Sequence, residues 1–380
     1  MGTGGGTRFF ALYAHRDHCA PSPQTFCISG QGCQEKKDCS NDGKTASMNA
    51  MQPIAPLSTH DRIWILAPHP DDETLGTGGL IQRACQTGAA VCILFATRGD
   101  KNPWGQALFE RTPFVWSDEA AERYAGLRRE ETWRTLDVLG FKTGPDRQVE
   151  FLEWHDQSGT SHLLTDSAQA ISALRESIVR FRPTRLFLPA LQDAHPDHSA
   201  LAVLARLALG TDLPFSAPDV YAYLIHQSKR EKVSGQPVAL TLTPEECATK
   251  RRAIECYVSQ LVFKPQRFLR FAAEEENYLH ESPVTLPAQS SWPVQMVSIQ
   301  GDQLHVRIQS KIPERWGGTR LHLIGVSADK KVCTATLPLT GSREISLPLS
   351  SLGAPGQLFI KFESGCSFFN KMGWLHVLCQ

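Results

Sequence analysis

The sequence predicts an α/β protein: a Rossmann-like, mostly parallel sheet with helices on both faces, followed by a small β-rich C-terminal domain. Three observations predict it. Short apolar runs alternate with helical stretches of ten or more residues from Arg62 onward, the pattern of a parallel sheet with right-handed crossovers. Beyond Pro283 the texture changes to short period-two runs among Gly and Pro, which reads as an all-β module. The 380 residues exceed the roughly 250–300 at which a single core stops growing, so a second small domain is accommodated.

The elements follow in order. Ile63-Trp64-Ile65-Leu66-Ala67 is a buried strand, and Gly78 to Thr87 is a helix stopped by Gly88. Val91 to Ala96 is a second buried strand. Glu119 to Leu139 is an amphipathic helix ending at Gly140, and Ala168 to Phe181 is another, ended by Pro183. Leu186-Phe187-Leu188 is a strand, Ser199 to Leu209 a helix, Val220 to Ile225 a strand and Pro244 to Ser259 a helix. In the tail, Leu304–Ile308, Leu321–Val326, Val332–Leu337, Glu344–Leu347 and Leu358–Phe362 are β-like. The expected division is a disordered leader over 1–58, an α/β domain over 59–282 and a β-rich accessory domain over 283–380.

Composition excludes several classes. The 39 basic and 39 acidic residues cancel, leaving no electrostatic footprint for nucleic acid or anionic lipid. No apolar run approaches the roughly 18–20 residues of a membrane span, and Phe9-Phe10-Ala11-Leu12 is too short for a secretory core. A cytoplasmic location is the expectation. Eleven cysteines are an odd number, against a complete disulfide framework. Cys85, Cys92, Cys247 and Cys256 read as small buried hydrophobes. Cys19, Cys27, Cys33 and Cys39 are spaced too widely for a zinc knuckle. Met48 and Met51 precede the first strand, so the Gly/Ser/Lys-rich leader reads either as a disordered segment or as upstream sequence. No G-x-G-x-x-G follows the first strand, and a dinucleotide site is unsupported.

The chemistry lies at two strand ends. The first reads Ala67-Pro68-His69-Pro70-Asp71-Asp72-Glu73-Thr74-Leu75-Gly76, and the later one Pro189-Ala190-Leu191-Gln192-Asp193-Ala194-His195-Pro196-Asp197-His198. A parallel sheet puts both blocks on one edge, where two loops can converge. Two imidazoles and a carboxylate make a facial set suited to zinc or ferrous iron. A single His-Pro-Asp would read as a turn or cap; two of them at strand ends read as a site.

These blocks resemble the paired signatures of the PIG-L/LmbE-like family of N-acetylglucosaminyl deacetylases. Thr97-Arg98-Gly99-Asp100, Arg128-Arg129-Glu130-Glu131 running to Leu139-Gly140, and Lys250, Ala253, Tyr257, Ser259 and Gln260 resemble further family motifs in the same order. The resemblance covers about residues 62–265. It implies that His69, Asp72 and His198 ligate one divalent metal, Zn2+ foremost and Fe2+ second. It implies that Asp71 is the general base and that His195 stabilises the oxyanion, oriented by a hydrogen bond from Asp197. Arg128, Asp156 and Arg98 are the implied substrate contacts, with turn formation the alternative for Asp156. Glu73 is expected to buttress the ligand loop.

Residues 101–125, with Trp104 and Trp116, lengthen the connection to the Arg128 helix. They read as a lid over a glycan, with packing on the β module as the alternative. The implied reaction is acetamide hydrolysis on an N-acetylated sugar or glycoconjugate. The alternatives are hydrolysis of another amide or a phosphoester, and sugar binding by a relict site.

Overall fold

The computed structural model describes residues 51–113, 117–210, 212–226, 235–262, 265–281, 293–308, 318–339, 344–364 and 372–379. The leader with its four cysteines, Phe114 to Trp116, and Pro283 and Pro287 lie outside the described residues. In chain order the elements are β1 (Gln52–Pro53), β2 (Arg62–Ala67), α1 (Asp72–Thr87), β3 (Ala90–Thr97), α2 (Pro103–Glu110) and α3 (Asp118–Val138). Then come β4 (Arg147–Trp154), α4 (Gly159–Thr165), α5 (Ser167–Phe181), β5 (Arg185–Pro189), α6 (Pro196–Leu209), β6 (Asp219–Tyr223) and β7 (Gln236–Thr241). Helices α7 (Pro244–Glu255), α8 (Val258–Leu261) and α9 (Pro265–Leu269) lead to β8 (Glu275–Glu281). The tail holds β9 (Val294–Gln300), β10 (Gln303–Ile308), β11 (Thr319–Val326), β12 (Val332–Leu339), β13 (Glu344–Pro348), β14 (Gln357–Ser364) and β15 (Leu375–Leu378).

The main sheet runs β1-β7-β8-β6-β5-β2-β3-β4. Strands β2 to β6 are mutually parallel where they pair, and β8 is antiparallel to both neighbours. The chain goes from β2 outward to β3 and β4, then returns to place β5 on the other side of β2. That reversal opens a crevice between the C-terminal ends of β2 and β5, the usual ligand position in such sheets. The two His-Pro-Asp loops leave from those two ends.

The apolar runs look uniform in sequence but divide by face. Trp64 and Leu66, Cys92 and Leu94, and Leu186 and Leu188 face α5 and α6. Ile63 and Ile65, Val91 and Ile93, and Phe187 face α1, α3 and α7. Full burial on both sides explains the missing alternation. Helix α1 begins at Asp72, earlier than the glycines of its first two turns indicate. They serve close packing: a Cβ on Gly76 would lie 2.7 Å from the Tyr223 ring.

Strand β1 falls within the span 1–58 expected as leader. Its residues pair with β7, and Ile54 is buried in the core. Of the four central cysteines only Cys92 is fully buried; Cys85, Cys247 and Cys256 are half-buried, and all four are free thiols.

The tail folds as two antiparallel sheets, β13-β10-β9 and β12-β11-β14-β15. Leu321, Leu323, Leu358, Ile360 and Phe362 face the first sheet across the tail's own core. The opposite face of the second sheet gives Ile324, Val326, Phe359 and Trp374 to the same core as α6. Helix α6 is therefore apolar almost all round, as a helix covered on every side must be.

Candidate metal centre and catalytic pocket

The loop after β2 carries His69, Asp71 and Asp72. Asp72 Oδ2 lies 3.0 Å from His69 Nδ1 and 3.0 Å from His198 Nε2, and the two nitrogens are 3.2 Å apart. Bonds of about 2.0–2.2 Å from nitrogen and oxygen donors to one ion require ligand separations of this order. The donor set thus fits a divalent ion. His195 adds a third imidazole with a ring nitrogen within 4.8 Å of those of His69 and His198.

The electrostatics agree. Burial disfavours charged His69 and His198, yet the surrounding carboxylates outweigh it. Asp156, Asp197 and Asp72 hold His69 well above the ordinary imidazole range, and Asp193 and Asp72 raise His198 to about 10. The buried Asp72 carboxyl is held low by His198 and His69. A pocket that concentrates positive charge on its imidazoles is one that a divalent cation also satisfies.

Asp71 is in a different state. Its φ of 122° is a backbone conformation costly for any residue with a side chain. Its N–H donates to Glu73 Oε2 at 3.0 Å, and its Oδ2 lies 3.1 Å from Arg128 Nη2. Burial pushes its carboxyl up to about 8; Arg128 pulls against this and Asp72 reinforces it. Glu73 buttresses the loop as its position implied: Tyr257 Oη donates to its Oε1 at 2.7 Å.

His195 precedes α6, and its Nδ1 accepts the Asp197 N–H at 3.3 Å. Burial, followed by the positive charge of His69, His198 and His226, holds it well below the usual imidazole range. A neutral ring accepting at Nδ1 carries its proton on Nε2. The Asp197 carboxylate does not make the expected bond to His195. It lies 3.1 Å from His69 Nε2 and accepts the N–H groups of Gln157 and Gly159, so Asp197 orients His195 through its backbone and His69 through its side chain.

The implied substrate contacts divide. Arg128 lines the cavity and is 3% exposed, with its Nε unpaired. Asp156 also lines it, but its carboxylate clamps the 97–101 turn by accepting from Thr97 Oγ1 at 2.6 Å and from the N–H groups of Gly99 and Lys101. Arg98 is a correction: it pairs with Asp100 and Glu122, contacts His155, and lines a separate cleft with Pro70 and Phe151. Those acids hold it in that cleft, and it is not among the residues lining the cavity of the metal candidates. In the 101–125 insertion, Asn102 caps α2 and bonds Gln260 of α8, and Trp104 is 71% exposed.

Two residues were missed. Asp193 is wholly buried, accepts the N–H groups of His195, Ile225 and His226, and sits 3.2 Å from His198 Nδ1. His226, just beyond β6, lies 3.3 Å from the same carboxylate and lines the cavity. Asp193 was visible inside the second block without a role; His226 stands alone in sequence and gave no signal.

The comparisons with known proteins agree with these loops. The family described as "PIG-L: GlcNAc-PI de-N-acetylase" matches residues 64–209. A 1D-myo-inositol 2-acetamido-2-deoxy-alpha-D-glucopyranoside deacetylase from Nocardia farcinica is 28% identical, over 52% of this chain and 79% of that protein. A probable N-acetyl-alpha-D-glucosaminyl L-malate deacetylase 2 from Bacillus cereus is 24% identical over 52% and 83%. Of other relatives named as the Nocardia protein is, the chain spans 54% and 59%. A solved N,N'-diacetylchitobiose deacetylase from Pyrococcus horikoshii has a TM-score of 0.45 and 19% identity over 58% of this chain and 84% of that one. Residues 64–209, which match that family's model, carry both His-Pro-Asp loops.

Proposed function

We propose that this protein is a metal-dependent N-deacetylase, hydrolysing the acetamide of an N-acetylated amino sugar or glycoconjugate to a free amine and acetate. The observation that carries the reading is the compact triangle of His69, Asp72 and His198 donor atoms, with the strained Asp71 beside it and His195 on the same cavity. Those three residues would hold the ion. When bound, a divalent ion there, zinc by its N,N,O donor set, supplies Lewis acidity toward a carbonyl and toward water.

The chain's own groups supply the rest. Asp71 takes one proton from the attacking water, and its burial, which outweighs the opposing pull of Arg128, suits it to hold that proton at neutral pH. The His195 Nε2–H donates to the carbonyl oxygen as negative charge builds on it. The C–N bond then breaks, and the proton held by Asp71 passes to the leaving nitrogen. Arg128 keeps Asp71 oriented and offers its remaining donors to substrate oxygens.

The cavity, about 290 Å³, shares Leu75, Ile225 and Phe271 with a second one of about 580 Å³. That continuity favours a glycoconjugate over a free monosaccharide. The test is acetate release by metal-replete protein from a panel of N-acetylated sugars and conjugates, with metal content measured in His198→Ala. Acetate release that tracks bound metal is the expected result. Protein that binds metal but releases acetate from no amide overturns the reading.

A further inference from the structure

We infer that the β-rich C-terminal part is a working component of the metal centre: through Gly373, Trp374 and Lys361 it sets the position of the loop after β5 that carries His195 and His198. The inference rests on the proposed reading of those histidines, and it concerns a part of the chain outside the matched family region.

Three contacts converge on that loop. The Trp374 N–H donates to Leu191 O at 2.7 Å, two residues before Asp193. Gly373 passes so close that a Cβ would lie 2.0 Å from Leu191 O and 2.5 Å from Gln192 Cα. Both are backbone atoms, and no rotation of a side chain relieves such an overlap. Lys361 Nζ lies 3.1 Å from Ser199 Oγ, and that hydroxyl donates to His195 O at 3.1 Å. The turn between the two histidines is thereby tied to β14.

Lys361 sits deep beside that turn. It is 2% exposed, against the face of Trp374 and beside the first turn of α6. The surroundings are also not those of a tethered module: Ile324, Val326, Phe359 and Trp374 share one core with α6. Their shared burial holds the sheet firmly against that helix. From inside, Asp193 fastens the same loop to the end of β6.

The test compares variants that strain different contacts. Gly373→Ala strains the contact with the loop. Gly325→Ala strains only the tail, where its Cβ would meet Leu352 O at 2.9 Å. Lys361→Met, Ser199→Ala and their double variant form a cycle. Metal affinity of the folded protein is read by chelator competition, next to thermal midpoints and separate KM and kcat values. Gly373→Ala and Lys361→Met are expected to lose about 10-fold or more in metal affinity, as substitutions behind ligands do. Gly325→Ala is expected to lower the midpoint with affinity unchanged, and the cycle to be non-additive.

Equal losses in Gly325→Ala and Gly373→Ala overturn the inference, as does unchanged affinity in Lys361→Met. Tighter binding in Lys361→Met overturns it too, since removing one cation electrostatically favours another. If Gly373→Ala fails to fold, the cycle decides. Wild-type protein that takes up no divalent ion overturns the metal reading itself.

Discussion

The two loops that meet at the metal candidates are built on opposite plans. The loop after β2 is strained and acidic: Asp71 stands at φ 122°, and its supports, Arg128 of α3 and Tyr257 before α8, come from within the α/β domain. The loop after β5 has no residue at positive φ, contributes imidazoles, and is held by Asp193 from inside and by the tail from outside. Their titrations run in opposite senses, with Asp71 pushed up and His195 pushed down. Asp71 can thereby hold a proton once it is taken from water, and His195 stays a neutral donor, beside the charged Asp72 carboxylate. A proton acceptor and a hydrogen-bond donor can then face one substrate without cancelling each other.

The sharpest way to break this contrast is Asp71→Asn. It should lower kcat by about 10²–10⁴-fold while elemental analysis finds the bound metal unchanged; loss of metal instead would move Asp71 among the ligands. His195→Ala should cost about 10²–10³-fold in kcat with KM little affected, read by steady-state acetate release. Asp193→Asn should weaken metal binding by about 10–100-fold in chelator competition, and unchanged binding would leave His198 oriented by something else. Tyr257→Phe removes one donor from buried Glu73 and should lower unfolding free energy by about 1–3 kcal/mol in urea titration.

A last expected effect concerns the tail. His376 is held neutral, with its pKa lowered to about 4 by burial and by Arg206 of α6. The unfolded imidazole titrates near 6.5, so between about 6.5 and 4 the unfolded chain binds more protons. Stability should therefore fall as pH drops through that window. Thermal midpoints of His376→Gln should be flatter there than those of the wild type.

Much of the site was legible because it is local. A strand followed at once by His, Asp and Asp fixes ligand and base in six residues, and a parallel sheet brings two such ends to one edge. The adjacency of β2 and β5 was not legible, since strand order is set by crossovers rather than by any one segment. Strands β4, β7 and β8 escaped notice because their burial is incomplete or their alternation is broken by charged residues. Arg98 was misplaced because sequence proximity to a motif says nothing of which way a side chain turns; Asp100 and Glu122 decide that. Asp197 was assigned to its neighbour when its carboxylate reaches across to the other loop. The role of the tail could not be read at all, since it depends on pairing Leu191 with Trp374.

That last contact has a consequence for how the protein is made. Ribosomes deliver a chain from its first residue at roughly 5–20 residues per second, and early domains generally fold as they emerge. Both histidine loops leave the ribosome long before Trp374 does. Contacts between distant segments form late and slowly, so the nascent chain holds its second loop without its outer clamp until the final strands dock. On the proposed reading, alignment of the metal site thus waits for Trp374, and a chain interrupted before that residue carries the three candidate ligands yet lacks the outer clamp.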